Sequence, residues 1–227
     1  MKKLLFIFIT LSLVSGNVFS QSTKAPAKRT TNSVTSKQKA EAEAIEKTKA
    51  AEREAFAKAE KERLRISNNS KCRFSFEKGD FVSLQGNEDY VVYEIPNMSA
   101  SDLKSAVYTA LSSMYKSPKD VITSLSDNMI QLEGYAADIY YFTVGSSIYY
   151  NDILFNIVIQ FKDGKVRYNK PNIKQLYIGG PMGKLKADMS KNISKLIERK
   201  DERQRVESYF SSLISKLNSK LKVSNDW

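Results

Sequence analysis

The sequence predicts an α+β protein built on an antiparallel sheet, and three features carry that prediction. Between residues 71 and 175 the patterns run strand, helix and then several strands, with helical periodicity after them. From Asp152 the odd positions Ile153, Phe155, Ile157, Ile159 and Phe161 are large and apolar. Asn156, Gln160 and Lys162 alternate with them, which is the period-two signature of a half-buried strand. Asp163-Gly164 then supplies the pair preferred in a two-residue hairpin turn, and Val166 to Tyr168 returns antiparallel. No repeat of about 20 to 50 residues interrupts this order.

Taken from the N-terminus, residues 1–20 read as a secretory signal peptide. Lys2 and Lys3 precede an apolar run from Leu4 to Val14, and small residues end it before Gln21. Those 11 residues fall short of the roughly 20 that a spanning helix needs, so no transmembrane span is expected after cleavage. The expected address is beyond the inner membrane, periplasmic or secreted. Residues 21–36, rich in Ser and Thr and without an aromatic, read as a flexible linker. From 37 to 66 the composition turns to Ala, Glu, Lys and Arg, with Glu43/Lys47 and Glu54/Lys58 in the favourable i,i+4 order. A long charged helix of about 45 Å is expected there, ended by Ser67-Asn68-Asn69-Ser70.

The globular unit is expected over 71–175. Cys72 is the only thiol, so it either lies buried or forms an intermolecular disulfide. Val91, Tyr93 and Ile95 mark a strand that stops at Pro96. Ser99 and Asp102 cap a helix with Leu103, Val107, Ala110, Leu111 and Met114 on one face, ending near Tyr115. Strands follow near 121–125, 129–135 and 139–144, with Asp127-Asn128 as a turn. Gly179-Gly180-Pro181 reads as a loop, and 183–223 as a C-terminal helical segment that starts with Leu185, Met189, Ile193 and Leu196/Ile197. Its later stripe, Val206, Phe210, Leu213, Leu217 and Leu221, is expected to pack on the sheet or on a second copy, the latter making a homo-oligomer.

Some of these runs carry a family likeness. Tyr90 to Ser99, then Asp102-Leu103, then Tyr115 to Ile122, with Asn156 to Tyr168 as a closing hairpin, resemble a domain of unknown function described as having a TBP-like fold. That family occurs in secreted proteins of Gram-negative gut and environmental bacteria. The resemblance spans roughly residues 88–170. It implies a curved antiparallel sheet in a β-α-β4-α arrangement, and it implies no activity.

Composition narrows the function further. With no His and one Cys, His-based triads, His-ligated metals and four-cysteine zinc sites are excluded. The net charge of +11 invites a nucleic-acid reading, but residues 71–175 hold 11 basic and 12 acidic side chains. The excess falls on the flanking helical segments, so nucleic acid is not expected as a partner. Glu133, Asp138 and Asp152 are the acids placed for glycoside hydrolysis, with no diagnostic spacing.

One local enrichment remains. Tyr135, Tyr140, Tyr141, Phe142, Tyr149 and Tyr150 surround Gly145-Ser146-Ser147. Paired tyrosines on strands put one ring on each face, and an exposed tyrosine offers flat apolar area with a hydroxyl. Tyr140, Tyr141, Tyr149 and Tyr150 are therefore the candidate ligand-binding residues, for an envelope glycan, peptide or protein. No cofactor and no metal is expected. The sequence favours a non-enzymatic binding or scaffold module. The alternatives are self-assembly through the C-terminal stripe and a carboxylate-dependent envelope hydrolase.

Overall fold

A computed structural model describes residues 31–180, 183–189 and 193–223. The chain divides into two units, residues 1–54 and 55–227. The expected signal peptide, and residues 21–30 of the expected linker, lie outside the described residues. In the first unit the described residues are all helical and belong to α1 (Thr31–Ser70); side chains 39–54 are exposed. Residues 31–36, read as linker, are thus helix, because no Pro or Gly stops α1 there. The terminating Ser67–Ser70 forms its last turn, with Ser70 Oγ donating to the Ser67 carbonyl at 2.7 Å.

The second unit is α+β with antiparallel sheets and a C-terminal helix. A small hairpin pairs β1 (Phe74–Glu77) with β2 (Asp80–Ser83). The main sheet takes β3 (Tyr90–Glu94), then, after α2 (Ala100–Met114) and α3 (Pro118–Val121), β4 (Ile122–Ser126), β5 (Met129–Val144), β6 (Ser147–Lys162) and β7 (Lys165–Asn169). Their order is β3-β7-β6-β5-β4. Strand β8 (Asn172–Gly180) pairs with β6, and β9 (Gly183–Lys186) with β8. Both β7 and β8 lie along one side of β6, β7 against 159–162 and β8 against 150–156. Between them sits Pro171, which has no N–H to offer a ladder. Helices α4 (Ile193–Leu196) and α5 (Lys200–Val223) close the described chain. No helix among the described residues is long and apolar enough to cross a membrane.

The sequence explains the packing. Ser99 Oγ accepts from the Asp102 N–H at 3.1 Å and starts α2, whose Leu103, Val107, Ala110 and Leu111 are buried; Met114, expected on that face, is exposed. In β6 the odd residues Ile153 to Phe161 are all buried, and α2 and α5 cover that face. Phe210 of α5 meets Phe81 and Phe155 edge-on, each at 4.9 Å. Such contacts add to area burial, by about 0.5–1.5 kcal/mol each. Gly134 is required beneath the Phe155 ring, since a Cβ there would come within 2.3 Å of it.

Three expectations are corrected here. The stripe Val206, Phe210, Leu213, Leu217 and Leu221 is buried in its own core, so a homo-oligomer formed through it has no surface left to use. Residues 183–186 are strand rather than helix, and Gly179-Gly180 lies within β8 rather than a loop; Leu185, assigned to the apolar stripe, is 71% exposed. Cys72 is buried with Asn218 Nδ2 at 3.9 Å from its Sγ, and burial pushes the thiol up to about 12. An intermolecular disulfide would need a partner's sulfur to reach this enclosed, protonated thiol.

The free edge of β3 is closed by side chains. Asn69 Nδ2 donates to the Glu94 carbonyl and its Oδ1 accepts from the Glu94 N–H, both at 2.8 Å. Gln85 does the same at Val92, at 2.7 and 2.6 Å. Two amides thus imitate the peptide groups of a missing neighbour strand, which blocks edge-to-edge pairing.

Candidate functional site

The site grows from the β5–β6 hairpin. These strands pair from Met129↔Gln160 to Val144↔Ser147, with an irregularity between Ala136 and Tyr140. Asp138, at φ 51°, occupies the left-handed region inside this bulge. Its N–H donates to Asp152 Oδ1 at 2.8 Å. Asp152 is fully buried on the face away from the helices, and its Oδ2 accepts from Lys184 Nζ at 2.5 Å and from the Tyr135 hydroxyl. Burial opposes ionisation of Asp152, but the hydrogen bonds from Lys184, Tyr135 and Asp138 outweigh it and hold the carboxyl below the usual carboxylate range. Burial and the adjacent Asp152 raise the Tyr135 phenol, and Asp152 raises the Lys184 ammonium. All three groups keep one protonation state near neutral pH, unlike an acid–base pair poised to exchange a proton.

Around the buried Asp152 lies an aromatic surface. Tyr141 and Tyr150 are cross-strand partners with rings 6.5 Å apart, 47% and 44% exposed. Arg205 of α5 reaches within 4.5 Å of the Tyr141 ring. Tyr135, 45% exposed, stands 6.0 Å from Tyr177. Gly179 faces Tyr150 across β6–β8 and leaves a flat floor over which the Lys184 stem passes.

The four tyrosines singled out from the sequence separate. Tyr141 and Tyr150 share the open face. Tyr140 is corrected: it is buried at 1% exposure, its hydroxyl donates to the Leu196 carbonyl at 3.1 Å, and burial raises its phenol, so it anchors α4 instead of meeting a ligand. Tyr149 points to the same side as Phe142, stacked at 5.3 Å, and covers Gly180, where a Cβ would come within 2.7 Å of its ring. The sequence reading missed Tyr177, Gly179 and Lys184. A signal existed in Gly-Lys-Leu-Lys, whose alternation fits an edge strand, although four residues are too few to separate it from a helix start.

The acids do not converge. Glu133 pairs with Lys174 at 2.8 Å and sits opposite Asn156, four residues from Asp152 along β6, or about 13 Å. Asp138 contacts Asp152 through its backbone N–H. Among the described residues no group of three acidic or thiol ligands is placed to hold a metal.

Comparison with known proteins gives little more. One solved structure, of a DUF4468 family protein from Bacteroides ovatus, is similar at 11% identity with a TM-score of 0.40, covering 67% of this chain and 94% of that one. No family model matches the sequence, and no curated protein does.

Proposed function

We propose that the protein is an exported, non-enzymatic binding module of the cell envelope whose ligand lies on the open face of the β5–β6–β8–β9 sheet. The observation that carries this reading is the half-exposed Tyr141/Tyr150 pair beside Tyr135 and Tyr177, which α5 meets through Arg205 at the Tyr141 ring. Buried tyrosine rings belong to cores, whereas paired exposed rings with free hydroxyl edges suit ligands that are part apolar and part wet. The Asp152–Tyr135–Lys184 cluster supports the same reading, because it fixes the platform geometrically while its protons stay in place. Export rests on the leader-like residues 1–20.

The test is a binding screen of the full chain against soluble peptidoglycan fragments, neutral glucans and polyuronates, repeated with Tyr141→Ala and Tyr150→Ala. Saturable binding that both variants weaken about tenfold is the expected outcome. Binding unaffected by both variants, or no binding across the panel, would remove the reading.

A further inference from the structure

The open face of the sheet carries a charge pattern that the composition hides. Alternation places Lys162, Lys165, Arg167, Lys184 and Lys186 on it, and the ion pair with Glu133 adds Lys174, against Glu94, Glu133 and Asp152. Each carboxylate is already paired, Glu94 with Lys165 at 2.9 Å, Glu133 with Lys174 at 2.8 Å and Asp152 with Lys184 at 2.5 Å. Among the described residues no carboxylate lies within ion-pair distance of Lys162, Arg167 or Lys186. Within residues 71–175 this face holds four cations and three carboxylates, and Lys184 and Lys186 of β9 raise its cationic surplus to three.

Lys162, Lys165 and Arg167 border a groove of about 570 Å³ at the end of β6 remote from the hairpin tip, beside Tyr90, Gln160 and Met129. The Arg167 guanidinium lies 3.8 Å from the Tyr90 ring centroid, and its Nε donates to Asn169 Oδ1 at 3.1 Å. That fixes the fork in position for a planar anion such as a carboxylate. Gln160 and Tyr150 are ten residues apart on β6, which is about 33 Å of strand. Lys186 lies at the tyrosine end, opposite Tyr177.

We propose that the ligand of this face is a linear acidic polysaccharide, lying along β6 with sugar rings against Tyr150 and Tyr141 and with carboxylates on Arg167, Lys162 and Lys186. The inference rests on the binding face proposed above and names its ligand class. A flexible chain of rings carrying regularly spaced carboxylates matches aromatic and cationic positions separated by 30 Å or so. A nucleic acid presents phosphate more densely than these few unpaired cations can neutralise.

The experiment titrates the full chain with polygalacturonate, with dextran as neutral polymer and with oligo(dT) as a second polyanion, at low salt and at about 0.5 M, where charges are screened within ~4 Å. Polygalacturonate is expected to bind in preference to both. Arg167→Gln with Lys162→Gln should weaken it about tenfold or more without changing the thermal midpoint appreciably, and Lys186→Gln, an exposed change, should weaken it less. High salt should weaken it as well. Preference for oligo(dT), binding indifferent to these variants, or no polygalacturonate binding would overturn the inference. If dextran binds as tightly and Tyr141→Ala and Tyr150→Ala abolish that binding, the tyrosine face stands and the acidic ligand falls. If the tyrosine variants leave polygalacturonate binding untouched while the cation variants abolish it, the tyrosine face falls instead.

Discussion

Replacing Asp152 by Asn tests how the aromatic platform is held. The carboxylate is buried and takes three hydrogen bonds, from the Asp138 N–H, the Tyr135 hydroxyl and Lys184. An Asn side chain can keep the Asp138 contact through its amide oxygen and loses the two contacts to Oδ2 as charge-assisted bonds. Breaking a buried ion pair costs about 3–5 kcal/mol when the surviving charge is also buried. Lys184 is 53% exposed and regains water, so the expected loss is smaller, about 2 kcal/mol at neutral pH. For a unit of this size that corresponds to a midpoint about 4–8 °C lower. The sign with pH follows from the direction of the shift. The folded Asp152 pKa lies below its unfolded value near 4, so its stabilisation is fully present above pH ~4 and is lost as pH falls through the folded pKa. Urea melts of both proteins at pH 7 and at successively lower pH should show a gap that closes in that acid window. Equal stability at pH 7, or a gap that persists unchanged into acid, would refute the argument.

The other consequences concern packing and edges. Gly134→Ala should cost about 1–3 kcal/mol through its clash with Phe155, and adding Phe155→Ala should cost less than the two single changes together, as measured by a double-mutant cycle of denaturant melts. Asn69→Ala and Gln85→Ala should each lower stability by about 1–2 kcal/mol, and the double variant should form larger particles in light scattering as the β3 edge opens. The Cys72 thiol should react with a thiol reagent at pH 8 only as fast as the protein opens, and at full speed in denaturant.

How far the fold was legible depended on the length of each pattern. Strand β6 repeats its alternation over five buried residues, and α5 repeats its stripe over about four turns, so both emerged from periodicity. Strands β1, β2 and β9 have four residues each, too few for a period to declare itself, and β9 leaves its one apolar side chain, Leu185, in solvent. The site was legible only in its tyrosines. That one ring of each pair points outward follows from strand geometry, but which one depends on the bulge between Ala136 and Tyr140, where extra residues change the face. The Asp152–Tyr135–Lys184 cluster joins three strands, β5, β6 and β9, and no local spacing encodes such a meeting.

The most direct test of the tyrosine face is fluorine NMR of the full chain labelled with 3-fluorotyrosine, recorded while an envelope polysaccharide that binds is added. Resonances of Tyr141 and Tyr150, assigned by substitution, should move in a saturable manner together with those of Tyr135 and Tyr177, while buried Tyr140 and Tyr168 stay in place. Saturable binding that leaves Tyr141 and Tyr150 unmoved would contradict the account and place the ligand elsewhere on the molecule.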